Sequence, residues 1–267
     1  MREITDQQLS GVRLVRVEAE HVDGDDLGLR RSVLRDVGID DVTVRGISLH
    51  DVRLRGAWLR GVEIDGEVEG LTVNGVDVGP LVDAELIRRY PDLAAMRPSD
   101  PDGFRHAWDV VEGLWAGTLE RARSFDPDQL HESVGGEWSF IETLRHLAFA
   151  TECWLYRAIL GEPAPWDALS LPWDEMPDTP GVPRDREVRP DLETVLALRL
   201  DRMAAVRQYL DGLTDQVLAG ETTPVDAPGW PEPRAYPVRE CLLTILNEEW
   251  WHRRFAERDL DALEQRS

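Results

Sequence analysis

Residues 237–263 read Pro-Val-Arg-Glu-Cys-Leu-Leu-Thr-Ile-Leu-Asn-Glu-Glu-Trp-Trp-His-Arg-Arg-Phe-Ala-Glu-Arg-Asp-Leu-Asp-Ala-Leu. Within them Ile245, Glu248, His252 and Phe255 recur at spacings of three and four, which puts all four on one face of a helix. Ile245 and Phe255 are apolar, so this face is expected to point inward. A carboxylate and an imidazole on an inward stripe are costly unless they are paired or bind a metal. Glu248 and His252 stand one turn apart, as two ligands of one ion would. In residues 138–160, Glu142, His146, Phe149 and Cys153 share a face, and His146 could approach that pair across a bundle. Spacing leaves two readings open: a metal on His146, Glu248 and His252, or a buried Glu248–His252 pair beside an unrelated His146.

Working outward, the helical period extends over the whole C-terminal part. Phe104, Trp108, Val111, Leu114/Trp115 and Leu119 form the stripe of a first helix that ends near Phe125. Ser99 or Asp100 can cap it, and Pro101 suits its first turn. A second helix is expected from about Trp138 to Leu160, stopping at Gly161. A third runs from about Asp191 to Leu210 with Gly212 just past its end, and the fourth from Pro237 to Leu263. Four helices of similar length make a bundle the natural solution. Modest loops are expected between the first and second helices and between the third and fourth. Between the second and third lies a passage with seven prolines, Glu162 to Pro190. Connections of that length are usually functional or crossovers, and its Trp166 and Trp173 could lie over a bundle end.

The N-terminal part has another rhythm. From Gly11 to Asp65, pairs of apolar residues two apart recur every five residues, among them Val12/Leu14, Leu27/Leu29, Val42/Val44, Val52/Leu54 and Val62/Ile64. A strand would alternate with period two and a helix with 3.6. A period of five implies square coils whose sides each contribute two inward side chains. This stretch resembles the pentapeptide-repeat family, which implies a short right-handed quadrilateral β-helix of just under three coils. The frame slips after Asp65. The expected fold is therefore α+β: a β-helix over residues 1–80, a linker with a short helix from Asp83 to Tyr90 over 81–100, and a four-helix bundle over 101–267.

Composition narrows the partners. The chain has 52 acidic and 30 basic residues, a net charge of −22, and every basic residue is Arg. Such a surface repels phosphate backbones, so no nucleic-acid partner is expected. There is neither a signal pattern nor an apolar run long enough for a bilayer, and two cysteines are too few for a disulfide scaffold. A cytoplasmic protein without membrane contact is the expectation. Of the other histidines, His21 and His50 fall at outward pentad positions, His106 at a helix start and His131 in a polar loop, and all four read as surface or structural. Glu249 should face away from Glu248, and Cys153, two turns from His146, is too far to join it and reads as a small core residue.

The segments Gly135-Gly-Glu-Trp-Ser-Phe-Ile-Glu-Thr-Leu-Arg-His146 and Glu248-Glu-Trp-Trp-His252-Arg-Arg-Phe-Ala-Glu-Arg-Asp-Leu260 resemble the DinB-like superfamily. More narrowly they resemble the branch containing mycothiol-dependent maleylpyruvate isomerases, over about Pro101 to Leu263. The resemblance implies one divalent metal, zinc foremost with nickel or iron as alternatives, held by His146, Glu248 and His252. It further implies a metal-dependent thiol transferase or isomerase, acting on a low-molecular-weight thiol and an electrophile, as a monomer or homodimer. The alternative is a metal-binding protein without catalysis whose β-helix recruits a protein partner. Two histidines and one carboxylate also match the ligation of non-haem iron oxygenases.

Overall fold

The computed structural model describes residues 42, 49–64, 66, 68–174 and 176–266. The chain divides into two units, residues 1–55 and 56–267. In the first, described residues 49–55 form no strand, and Leu49, Val52 and Leu54 are exposed. Most of the expected β-helix lies outside the described residues. In the part of it that is described within the second unit, Leu59, Val62 and Ile64 are exposed and Trp58 is 93% exposed. The five-residue period nevertheless persists in the backbone: Asp51, Gly56, Gly61 and Gly66 all take positive φ. The interval then drops to four at Gly70 (φ 63°), where the apolar frame also slips.

The first regular structure is a hairpin of β1 (Thr72–Val73) and β2 (Val76–Asp77), antiparallel with Val73 opposite Val76. Asn74 and Gly75 turn it with φ of 51° and 82°, the left-handed pair that a two-residue hairpin loop requires. Helix α1 (Gly79–Arg89) begins four residues before the expected Asp83, with Pro80 in its first turn. A 3-10 turn, Pro91–Met96, then buries Leu93 and Met96 against the bundle.

The four expected bundle helices are all present. Helix α2 (Pro101–Ala122) is capped by Asp100, whose carboxylate accepts from the Gly103 amide at 2.8 Å, and it buries Phe104, Trp108, Val111, Trp115 and Leu119. Helix α3 (Phe140–Thr151) starts later than expected because Ser139 and Glu142 form a reciprocal capping box. Glu142 is thus spent on the helix start and does not reach His146's surroundings. Apart from Glu142, every residue of α3 is buried, so α3 is the innermost helix, enclosed by α4 (Leu192–Asp211) and α6 (Val238–Glu264). Each large apolar side chain buried this way contributes about 1.5–3 kcal/mol. Near the end of the second expected helix, the eight residues Glu152–Ile159 wind as a π-helix instead of an α-helix, and Gly161 (φ 80°) ends it as expected. Asp191 caps α4 through the Thr194 amide; Gly212 follows that helix with right-handed φ.

The connection from α4 to α6 has the length expected and contains α5 (Asp215–Leu218). The two long loops are held by buried arginines. Arg145 donates to the carbonyls of Leu169, Asp185 and Val188, and Arg157 to those of Pro163, Ala227 and Pro231. No helix among the described residues is long and apolar enough to cross a membrane.

Candidate metal centre

Because α3 is enclosed, a histidine in its middle is largely shielded from bulk water; His146 is 6% exposed. Its Nδ1 lies 3.0 Å from the Leu171 carbonyl oxygen, in the Pro-rich connection. A carbonyl can only accept, so Nδ1 carries a proton and Nε2 is the ring nitrogen turned to Glu248. Nε2 is 3.4 Å from Oε2 of Glu248, which α6 brings in from across the bundle. One turn on, His252 places Nδ1 2.9 Å from the backbone carbonyl of Glu248 and 3.2 Å from its Oε2. The two imidazole rings lie 4.9 Å apart, centre to centre.

The structure therefore brings together all three residues expected from the sequence, with one donor atom of each within 4.8 Å of the others. Two ligands about 2.1 Å from a tetrahedral ion stand about 3.4 Å apart, so the His146–Glu248 spacing already matches one. Oε2 of Glu248 is buried and has no well-aligned hydrogen bond. A buried carboxylate oxygen without a donor is costly, and a cation would remove that cost. Burial would raise the Glu248 carboxyl, but His146 and the charge of His252 hold it below its ordinary value. Burial also lowers the His252 imidazole, to about 4, with His146 adding to the effect. At neutral pH the centre thus offers a carboxylate and a neutral His252, the forms that bind metal. On chemistry and spacing, the residues fit a divalent cation.

Trp138, which the sequence reading passed over, roofs the centre. Its ring stacks on His252 (5.8 Å, 18°) and leans on His146 (4.4 Å, 44°), and its indole donates to Asp174 at 2.9 Å. Its place directly before the Ser139 cap was the available signal. Beside His146, Phe149 meets Trp173, which meets Trp230. Trp166 and Trp173 thus lie over a wall of the second helix, with Cys153, Met176 and Val182.

The remaining candidates stay apart. His50 and His106 are exposed, His131 is half-buried in a turn, and His21 lies outside the described residues. Cys153 is fully buried, and burial pushes its thiol far above the ordinary range. Glu249 does face away from Glu248, but into the core, where it meets the equally buried Arg199.

A family model described as the DinB superfamily matches residues 111–256, more than half of the chain. The chain belongs to the DinB superfamily. This is a metal-binding superfamily, and the matched span contains all three residues of the centre. No curated protein and no solved structure matches this DinB-superfamily chain.

Proposed function

We propose that this protein is a metal-dependent enzyme of the thiol S-transferase or isomerase type, with zinc held by His146, Glu248 and His252. The observation that carries the reading is the convergence of three donor atoms within 4.8 Å around a buried carboxylate oxygen that has no well-aligned hydrogen bond among the described residues. Three protein ligands leave a coordination position for a substrate atom, unlike the four of a closed structural site. A divalent cation there would supply Lewis acidity and favour the deprotonated form of a bound thiol or water near pH 7. The chain's residues do the rest. The carbonyls of Leu171 and Glu248 fix both imidazoles by accepting from Nδ1, and Trp138 keeps water from the face it covers. The aromatic wall of Phe149, Trp173 and Trp230 offers an apolar bed for an electrophile.

Elemental analysis of the purified protein, followed by assay of the metal-loaded form with mycothiol and a panel of electrophiles, tests this. Zinc in the wild type, its absence from His146→Ala, and thiol-dependent turnover are expected. Iron, with activity that requires oxygen, would replace the transferase reading by an oxygenase one. A second reading draws on the exposed apolar side chains of residues 49–64 and their five-residue backbone period. In it, residues 1–80 wind as a β-helix that recruits a protein partner, and the metal centre is not catalytic. Stoichiometric metal without turnover across the panel would favour it.

A further inference from the structure

Arg145 and His146 are neighbours on α3, and both reach the same loop. The Arg145 guanidinium, 1% exposed, spans the carbonyls of Leu169, Asp185 and Val188, tying together two strands of the Pro-rich connection. The Arg145 backbone carbonyl accepts from the Leu171 amide at 3.3 Å. The Leu171 carbonyl in turn accepts from His146 Nδ1. The same loop carries Asp174, which holds Trp138 over both imidazoles, and Arg186 links Asp174 to the Pro172 carbonyl. The Leu171 and Trp138 contacts of His146 thus both pass through a loop that Arg145 ties at three carbonyls.

We propose that Arg145 is a positioning residue of the metal centre, acting by holding the 169–188 loop so that Leu171 orients His146 and Asp174 fixes Trp138. The proposal rests on the metal reading above. Partners that orient a ligating histidine typically change metal affinity 10–100-fold when removed, by about the same factor as here expected. Arg157 provides an internal control. It is equally buried and makes the same kind of carbonyl clamp, on Pro163, Ala227 and Pro231, none of which contacts His146, Glu248, His252 or Trp138.

The test is a titration of the metal-free, full-length protein with Co²⁺ against a competing chelator, reading both affinity and the visible ligand-field spectrum. Wild type is expected to bind and His146→Ala not to. Arg145→Gln should bind about 10–100-fold more weakly with a changed spectrum, and Arg145→Lys should recover part of the loss. Arg157→Gln should lose thermal stability and keep the wild-type affinity and spectrum. If Arg145→Gln does not fold, Arg186→Gln, a half-exposed side chain on the same loop, decides by the same two readouts. Wild-type affinity and spectrum in the deciding variant would overturn the proposal, as would an equal loss of affinity in Arg157→Gln. A wild type that binds no Co²⁺ would overturn the metal reading itself, and the positioning role with it.

Discussion

Glu249 and Arg199 are each 1% exposed, and they join α6 to α4 through a direct carboxylate–guanidinium contact in the bundle core. Arg199 also lies over the Trp115 ring, 5.8 Å from its centre. Burial pushes the Glu249 carboxyl above its ordinary value, and the Arg199 charge opposes that shift. Among the described residues Arg199 Nε and Nη1 and Glu249 Oε1 have no well-aligned hydrogen-bond partner, so each member depends heavily on the other. Glu249→Ala would leave a guanidinium in the core without its counter-charge, at an expected cost of about 3–5 kcal/mol. At about 2–4 °C per kcal/mol for a domain of this size, the melting temperature should fall by roughly 6–20 °C. The double variant Arg199→Met/Glu249→Leu removes both desolvation costs, and such replacements are often neutral or stabilising by about 1–4 kcal/mol. Circular-dichroism melts of the wild type, both single variants and the double variant, all in chelator so that metal linkage does not enter, close the cycle. A Glu249→Ala loss below about 1 kcal/mol, the range of exposed pairs, would refute the reasoning. So would a double variant as unstable as the single.

Three further outcomes are expected. Saturation with metal at about 100 times its Kd should add about 2.7 kcal/mol to unfolding stability, seen as a raised melting temperature, and His146→Ala should abolish the gain. Both cysteines are buried, and burial pushes Cys241 up to about 12 and Cys153 further. With both thiols protonated well above neutral pH, a thiol-reactive chromogen at pH 8 should label neither until denaturant is added; rapid labelling of the native protein would contradict the burial. Gly229→Ala should cost about 1–3 kcal/mol by urea denaturation, because φ is 149° and a Cβ would collide with Trp166 and come within 2.8 Å of the Arg157 guanidinium. A loss under about 0.5 kcal/mol would mean that the loop yields freely.

The bundle was legible because its signals are local. Asp100, Ser139 and Asp191 each cap a helix through an amide three residues on, and apolar stripes repeat along α2 and α6. The ligand trio was legible in part: one face of α6 held Glu248 and His252 together, but His146 joins them only through tertiary packing. What escaped lies in long-range contacts of polar residues. Nothing in the spacing of Arg145, Arg157 or Arg199 distinguishes a guanidinium buried against loop carbonyls or a core carboxylate from one in solvent. The π-helical winding of Glu152–Ile159 was also hidden, since eight residues make only about two turns, too few for the apolar pattern to separate an i→i+5 from an i→i+4 winding. Glu152 itself is buried there, accepting from Arg202 and Ser170, residues 50 and 18 positions away.

Two identical residues, Glu248 and Glu249, sit side by side on α6 with opposite surroundings. One turns toward two imidazoles and the other toward an arginine in the core. A rotation of α6 by one residue would present a glutamate to both places only if the chain carried a third. The helix therefore has a single acceptable phase, checked at both faces at once. Insertions or deletions within α6 before Glu248 should be far less tolerated than changes of equal length at the exposed residues 232–235 of the preceding connection, outside the Arg157 clamp.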